Sequence, residues 1–432
     1  MKILQVATYT YPDHPGGAER VIAEVCRGLA ERGHHVELVT GKLARTSPAN
    51  TGHAADTPGA GDRAPSHATP LTSTEQHGRL TIHRYALQPG AIWRSARAGV
   101  HAALRAGVGA SAQVLHVHQI ASALPALRAA RALEKQRGAR LPRLLSFYAP
   151  YHLEHLARHR DGREAGRVSW RARASGFALR QADRRVLRAA DGVLALSEYS
   201  RRQIAALSSS ALARTSLSTG GVDLENFRPA LDDAERAAAR AHFGLPASGP
   251  LILSVRRQVP RMGLADLLDA LARLHALGCP AQLALAGDGP ERAPLEARSR
   301  ELGLERAVNF LGRVADEDLP CLYRAANLFA LPTRGLEGFG LVSAEALASG
   351  LPVVATQVGA TPEVLADLDC ATLVPPENPS ALADALASWL QDPEACTRAS
   401  ERARQHALER LGWEHHVDHV EAACRALSEA RA

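Results

Sequence analysis

The glycine-rich segment at residues 334–345, Arg-Gly-Leu-Glu-Gly-Phe-Gly-Leu-Val-Ser-Ala-Glu, constrains the fold more than any other part of the chain. The apolar run Leu328–Pro332 before it predicts a buried parallel strand. After it, apolar residues recur at helical spacing until Gly350. Together these parts predict a strand, a glycine loop and a helix N-terminus, which presents backbone N–H groups and a positive dipole end to an anion. The alternative for the loop alone is a tight turn.

Two carboxylates lie in this segment. Glu337 is in the loop, and Glu345 is on the predicted helix, about two turns in if that helix begins at Gly338. Both can face the crevice above the carboxyl ends of the strands, where open α/β sheets bind ligands. Because carboxylates only accept hydrogen bonds, they suit pairs of sugar or ribose hydroxyls. The alternative is one glutamate at a helix terminus and one in solvent.

Glu337 and Glu345 at this spacing, with Gly-Phe-Gly-Leu between them, resemble the E-x7-E signature of the family 4 retaining glycosyltransferases, and further matches run as far as Glu363. The resemblance implies an α/β protein of the GT-B type, with two Rossmann-like doubly wound domains facing across a cleft. It implies that Glu337 is catalytic and holds the donor sugar, and that Glu345 binds the nucleotide ribose. The loop backbone would meet the diphosphate and the sugar through Gly338, Phe339, Gly340 and Leu341.

A second part of the implied donor site follows the predicted strand Leu251–Val255. In the family, an arginine and a lysine five residues later hold the donor diphosphate. Arg257 matches the arginine, but Met262 stands at the lysine position, and a thioether carries no charge. Arg256 and Arg261 are candidate replacements, because guanidinium groups suit phosphate geometry. The alternative is a weakened or inactive donor site.

Three further positions come from the same resemblance. Arg313 ends a predicted strand whose backbone contacts the nucleobase in the family. Gly17 opens the first helix, where the backbone approaches the donor phosphate and the acceptor; an ordinary helix-start glycine is the alternative. His118 is the second histidine of a His-x-His strand end and would contact the donor sugar as a catalytic residue, with a buried structural histidine as the alternative. The first β-α-β unit lacks the G-x-G-x-x-G fingerprint, which argues against NAD.

The charge is distributed unevenly along the chain. Residues 1–220 carry 31 Lys+Arg against 15 Asp+Glu, although the whole chain has a net charge of only +6. Residues 155–188 alone hold ten arginines against three acidic residues, interleaved with large apolar side chains. This pattern predicts either an amphipathic basic helix at an anionic membrane surface or a solvated helical face. Nucleic-acid binding is not expected, because the basic region has no evident recognition module.

The predicted domain organisation follows from the alternation of strands and helices and from the resemblance. Residues 43–78 have few large apolar side chains, which predicts a flexible insertion. The predicted acceptor domain is residues 1–218, followed by a hinge at 219–230 and a nucleotide-sugar domain at 231–410. Residues 411–432 are predicted to form a terminal helix that crosses back to the first domain.

Composition and local sequence also indicate where in the cell the protein is expected. Six cysteines are scattered without paired or metal-ligand spacing, which predicts a reducing cytosol. No apolar run reaches the ~18 residues of a membrane span, and the first residues become polar too quickly for a signal peptide. We therefore expect a cytoplasmic protein, peripheral on the inner face of the plasma membrane.

The resemblance implies retaining hexosyl transfer to a hydroxyl of a glycan, glycolipid or lipid-linked acceptor, in the synthesis of cell-surface polysaccharide or glycoconjugates. The donor would be a nucleotide-diphosphate sugar, UDP rather than GDP, and no metal or other cofactor is implied. Two alternatives stay open. One is a non-catalytic or degenerate GT-B protein that binds sugar nucleotides or membranes, and the other is a different GT-B enzyme such as an epimerase.

Overall fold

The computed structural model describes residues 1–14, 16–43, 71–161, 168–366 and 368–430. The chain divides into two compact units, which are Met1–Thr219 with Glu414–Ala432, and Gly220–Trp413. Each unit contains one mainly parallel sheet with helices between its strands. The predicted fold class, α/β with Rossmann-like doubly wound domains, is confirmed.

The first unit contains an eight-stranded sheet. Its strands are β1 Lys2–Val6, β2 His35–Leu43, β3 Leu71–His77, β4 Leu80–Leu87, β5 Val114–Val117, β6 Arg143–Phe147, β7 Gly192–Ala195 and β8 Thr215–Leu217. Their order is β3-β4-β2-β1-β5-β6-β7-β8, and only β3 is antiparallel to its neighbour. The helices are α1 Gly17–Glu31, α2 Ile92–Arg105, α3 Ile120–Arg137, α4 Tyr151–Asp161, α5 Trp170–Ala189, α6 Glu198–Leu207 and α7 Ser209–Leu212.

Strand β1 lies at the centre of this sheet. It pairs with β2 on one side and β5 on the other, and the chain winds outward from it in both directions. The residues from Ile3 to Val6 are all buried, as expected for a parallel strand with helices on both faces. Helix α1 buries one stripe against the sheet, because its apolar residues recur at helical spacing along Val21, Ile22, Val25, Cys26 and Leu29.

The edge strand β3 differs from the sequence prediction. Residues 71–77, inside the predicted flexible insertion 43–78, form β3 and pair with β4. An edge strand of this kind is held by its ladder of backbone hydrogen bonds and needs little apolar burial, so composition does not reveal it. Residues 44–70 of that prediction lie outside the described residues. The three-residue strand β8 pairs with β7 and forms the other edge of this sheet.

The second unit contains a six-stranded, wholly parallel sheet in the order β11-β10-β9-β12-β13-β14. Its strands are β9 Leu251–Val255, β10 Gln282–Ala286, β11 Val308–Gly312, β12 Leu328–Leu331, β13 Val353–Thr356 and β14 Ala371–Val374. The helices are α8 Asp233–His242, α9 Leu264–Ala276, α10 Arg292–Glu301, α11 Leu319–Ala325, α12 Leu341–Ala348, α13 Thr361–Leu365, α14 Pro379–Leu390 and α15 Pro393–Arg410. After β9 the chain adds β10 and β11 toward one edge of the sheet. It then returns to the other side of β9, where β12, β13 and β14 complete the sheet.

The last helix, α16 Trp413–Glu429, groups from Glu414 onward with the first unit. It packs on α1, where a Cβ at Gly28 would lie 2.7 Å from the side chain of Val417. Glu421 accepts hydrogen bonds from Arg32 at 3.0 Å and pairs with His34 at 2.9 Å. The chain passes between the units after Thr219, at the start of the predicted hinge, and again after Trp413. Over the described residues, no helix is both long and apolar enough to cross a membrane.

Candidate active site

The order of strands in the second unit places a crevice between β9 and β12. A ligand crevice is expected at the carboxyl ends of the strands where the winding direction reverses, and β9 and β12 flank that point. The segments that follow these strands touch each other directly. Arg334 N donates to Arg261 O at 2.8 Å, and a Cβ at Gly263 would lie only 1.9 Å from Pro332 O. The glycine loop and the arginine-rich segment are therefore brought together here.

Glu337 and Arg256 form an ion pair in this crevice. Arg256 donates from one terminal nitrogen to Glu337 Oε2 at 2.5 Å and to Thr333 Oγ1 at 2.8 Å. The side chains of the pair are only 8% and 12% exposed. Charges this far from water are stable only when paired and hydrogen-bonded, so each side chain holds the other in place. Thr333 is a site residue that sequence reasoning missed, because nothing in its local pattern marks it.

The backbone around Glu337 is tightly determined. Leu336 adopts a left-handed conformation with φ of 59°, which is unusual for a residue with a Cβ. Ala360 N donates to Glu337 O at 2.9 Å. The next loop approaches so closely that a Cβ at Gly359 would lie 2.2 Å from Glu337 O. Strained backbone of this kind persists only where surrounding contacts over-determine it, and it concentrates at functional sites.

Helix α12 begins at Leu341, three residues later than the start at Gly338 considered in the sequence analysis. The reason is Gly340, whose left-handed φ of 86° ends the loop and caps the helix. Glu345 is therefore little more than one turn into the helix. Ser343, in the first turn, has a buried hydroxyl with no hydrogen-bond partner among the residues that the structure describes. Sequence reasoning missed Ser343; its signal is its place just after the glycine loop.

Glu345 is buried on α12, with 5% of its surface exposed. Tyr323 donates its hydroxyl to Glu345 Oε2 at 2.8 Å. The Tyr323 ring is itself fixed, because it stacks on Phe329 at 5.6 Å and meets Phe227 edge-on at 5.5 Å. Sequence reasoning did not identify Tyr323, which lies on a different helix and 22 positions away.

The predicted phosphate-binding arginines have different environments. Arg256 holds Glu337, and Arg261 approaches Gly335 O and Leu336 O at 3.4 Å and 3.3 Å. Arg257 is exposed, and its guanidinium group has no hydrogen-bond partner within the described part of the chain. Arg313 is also exposed, at the end of β11.

Met262, at the position where the family has lysine, is only 5% exposed and belongs to the apolar core of the second unit. It packs in the same cluster as Leu264 and Leu267. The thioether is therefore a packing group, so any cation that replaces the lysine has to come from another position.

His118 lies at the carboxyl edge of the first unit's sheet, one residue after β5. Its Nε2 is 2.7 Å from Gln5 Oε1 and its Nδ1 is 2.9 Å from the Tyr148 hydroxyl. Burial, with a smaller contribution from charge on His416, lowers the pKa of His118 to about 3. The ring is therefore neutral near pH 7, with Nε2–H donating to Gln5 and Nδ1 accepting from Tyr148. This environment fits the structural alternative, and the sugar contact stays a prediction.

Gly17 is the first residue of α1, as the sequence predicted. The loop before it is held by Gln119, which immediately follows His118. Gln119 Oε1 accepts from Thr8 N at 2.8 Å, and Gln119 Nε2 donates to Glu19 Oε1 at 3.0 Å. Sequence reasoning missed this glutamine, although its position at a strand end is the kind of signal that could have identified it.

The arginine-rich stretch 155–188 forms parts of α4 and α5; residues 162–167 lie outside the described ranges. Two large apolar side chains on α5 face solvent, with Trp170 74% exposed and Phe177 64% exposed. They are seven residues apart, so they lie on the same face of the helix. Arg171, Arg173 and Arg180 are exposed beside them.

Two family models match the chain, one in each half of the sequence. The family model "Glycosyltransferase Family 4" matches residues 15–226, and the model "Glycosyl transferases group 1" matches residues 235–406. The D-inositol 3-phosphate glycosyltransferase of Corynebacterium urealyticum is 38% identical over 209 residues, covering 47% of this chain and 49% of that protein. The GDP-mannose-dependent alpha-(1-6)-phosphatidylinositol monomannoside mannosyltransferase of Mycolicibacterium smegmatis is 34% identical over 240 residues, covering 54% and 62%. The chain thus spans about half to three fifths of the length of these relatives.

Solved structures resemble the chain over its full length. Sucrose-phosphate synthase from Thermosynechococcus elongatus superposes with a TM-score of 0.76 at 22% identity, covering 99% of each chain. HepE from Anabaena, solved with UDP, superposes with a TM-score of 0.69 at 20% identity, covering 99% of this chain and 100% of that one. Identity this low establishes the fold alone. Because the two family models together match most of the sequence, the chain belongs to the family 4 glycosyltransferases and has their GT-B fold.

Proposed function

We propose that this protein is a retaining glycosyltransferase, which moves a hexosyl group from a nucleotide-diphosphate sugar to an acceptor hydroxyl. The observation that carries the proposal is the Arg256–Glu337 ion pair at the reversal point of the second sheet, with the glycine loop and Glu345 beside it. A buried carboxylate in this crevice is an acceptor for sugar hydroxyls.

Each part of the crevice has a role in the proposal. Glu337 holds the donor sugar, and Arg256 positions Glu337 by pairing with it. Backbone N–H groups of residues 338–341 meet the diphosphate and the sugar at the start of α12, where the helix dipole favours negative charge. Glu345 receives the ribose hydroxyls and is held by Tyr323.

Transfer requires stabilisation of the diphosphate as it leaves the anomeric carbon. Arg257 has an exposed guanidinium group without a partner among the described residues, so it is available to a phosphate. Arg257 and the helix N-terminus would stabilise the leaving group electrostatically. In the proposed reaction, the acceptor hydroxyl attacks the same face and gives its proton to the departing phosphate. The proposal also keeps the contacts predicted from the sequence. These are the donor phosphate and acceptor for Gly17, the donor sugar for His118, the diphosphate for Arg261 and the nucleobase for the strand end at Arg313.

For the nucleotide, we propose UDP. The Mycolicibacterium smegmatis relative is named for GDP-mannose and HepE was solved with UDP, so both nucleotides enter the test. In a thermal-shift series with UDP, GDP, ADP and their sugar conjugates, a ligand at about 100 times its Kd should stabilise the chain by roughly 2.7 kcal/mol. Glu345→Gln is expected to lose most of that shift, because an amide is a weaker acceptor for ribose hydroxyls, while the control Glu305→Gln, on an exposed residue, should keep it.

A shift with GDP conjugates alone would replace UDP in the proposal. If no nucleotide shifts the wild-type chain, the donor site is degenerate, and the non-catalytic alternative takes its place.

For the acceptor, we propose a glycan or lipid-linked molecule that the chain meets at an anionic membrane surface. Trp170 and Phe177 are exposed on one face of α5 and are flanked by exposed arginines, an arrangement that suits a bilayer with acidic headgroups. Trp170→Ser/Phe177→Ser should reduce sedimentation with phosphatidylglycerol-containing vesicles several-fold. The control Leu277→Ser/Leu408→Ser removes two other exposed apolar side chains, 56% and 50% exposed, and should sediment like the wild type. Equal sedimentation of all three proteins would rule out docking through α5.

A further inference from the structure

A cavity of about 320 Å³ lies in the first unit, between α3 and α5. The two helices pack side by side, and the cavity occupies the groove between the middle of α3 and the last turns of α5. Arginines dominate its lining, and three apolar side chains complete it. The arginines are Arg128, Arg131, Arg143, Arg185 and Arg188, and the apolar residues are Leu124, Leu127 and Ala189.

The arginines converge because of helical spacing. Arg128 and Arg131 are three residues apart on α3, and Arg185 and Arg188 are three apart on α5, so each pair projects from one face of its helix. All four are exposed, and within the described residues none forms an ion pair or hydrogen bond through its guanidinium group. Four unneutralised guanidinium groups around one cavity repel one another, and a bound anion would relieve that repulsion.

Arg143 supplies a second, independent observation. This residue is 6% exposed, and one of its terminal nitrogens donates to both oxygens of Glu134 at 2.8 Å and 2.9 Å. Its Nε is buried and has no partner in the described part of the chain. A buried guanidinium N–H without an acceptor is costly, and the cavity that it lines is where an acceptor could lie.

The cavity is separate from the residues assigned to transfer. Arg143 is the first residue of β6, and the α5 residues that line the cavity lie in the last turns of that helix, just before β7. The cavity therefore lies at the amino ends of these parallel strands. His118 lies at the opposite, carboxyl edge of the same sheet.

We propose that this cavity is a binding site for a phosphate-bearing ligand with at least two negative charges, such as an organic phosphate or diphosphate. Guanidinium groups bind phosphate oxygens in a fork geometry, and four such groups match a dianion or a more highly charged ligand. The leucines accommodate an apolar or sugar portion next to the phosphate. A free metabolite and a phospholipid headgroup share this chemistry. The site is independent of the proposed transferase activity.

Calorimetric titration of inorganic pyrophosphate into the full chain tests the proposal, in an Arg257→Gln background that weakens binding at the proposed donor site. Arg185→Gln/Arg188→Gln should weaken pyrophosphate binding by about tenfold or more, because two charge-assisted contacts are lost. The control Arg300→Gln/Arg306→Gln removes the same charge from exposed positions of the second unit, outside the cavity and outside the α5 surface proposed for membranes, and should bind as before. Arg185→Lys/Arg188→Lys should retain part of the affinity.

A second arm distinguishes the two sources of phosphate. If pyrophosphate binding depends on Arg185 and Arg188, the site accepts free phosphates and the proposal holds. If only sedimentation with phosphatidic-acid vesicles depends on them, the proposal holds with a lipid headgroup as ligand. If neither measurement responds to the cavity variant, or if the control variant lowers both equally, the cavity is not a phosphate site.

Discussion

Glu337→Gln is expected to lower kcat/KM for sugar transfer by about 10²-fold or more, and to lower the melting temperature less than Glu337→Ala does, because the Arg256 charge loses its counter-charge but keeps a hydrogen-bond acceptor. The amide oxygen can still accept the hydrogen bond from Arg256, so the crevice keeps its geometry. It no longer carries the negative charge that holds the donor sugar hydroxyls, and small losses of positioning are costly in catalysis. Turnover with each sugar nucleotide is the measurement, and Glu305→Gln, on an exposed residue, is the control. Turnover like that of the wild type would remove Glu337 from the proposed site.

A double-mutant cycle separates the ion pair from the chemistry. Glu337→Ala leaves the buried Arg256 guanidinium unpaired, so the free energy of unfolding should fall by about 3 kcal/mol. Arg256→Ala/Glu337→Ala should recover part of that loss in urea unfolding, because no unpaired charge is left, yet it should not recover transfer. Stability losses that simply add would mean that the two side chains do not interact.

Gly359→Ala is expected to disturb the site without touching any side chain in it. The residue has φ of 62°, and its new Cβ would lie 2.2 Å from Glu337 O and 2.9 Å from Glu337 N, so the loop that carries Glu337 has to move. We expect a loss of more than about 2 kcal/mol, made up of the left-handed backbone penalty and the clash, together with a large loss of transfer.

Gly303→Ala is the matched control for this effect. Gly303 has φ of 67°, but a Cβ there would meet nothing within 4 Å. It should therefore cost only the backbone penalty of about 1 kcal/mol and leave transfer unchanged. Urea unfolding and turnover are measured on both variants; equal losses would show that the contact with Glu337 is unimportant.

Much of the fold could be predicted from local patterns. The buried strands β1, β9 and β12 are continuous apolar runs, and α1 has apolar residues at helical spacing, so short windows of sequence identify them. The edge strand β3 could not be predicted in this way. Its residues are mostly exposed, and it is ordered through its pairing with β4, an interaction that no local window contains.

The candidate site also combines local features, which the sequence predicts, with contacts between distant residues, which it does not. The spacing of Glu337 and Glu345 around the glycine loop is a local feature, and it predicts the family from the sequence alone. The partners of these glutamates are not local. Arg256 and Glu337 are 81 positions apart, and Tyr323 on α11 donates to Glu345 on α12.

Sequence alone thus determined the alternation of strands and helices and the position of the glycine loop, because hydrophobic periodicity and turn residues act over a few neighbours. Only the tertiary structure decided that Arg256 pairs with Glu337, that Arg257 is left exposed, that Met262 is buried and that five arginines meet in one cavity. Those outcomes depend on which distant segments the two sheets bring together. The pairing of these charges and the meeting of the arginines are properties of that assembly, and no short window of the sequence indicates them.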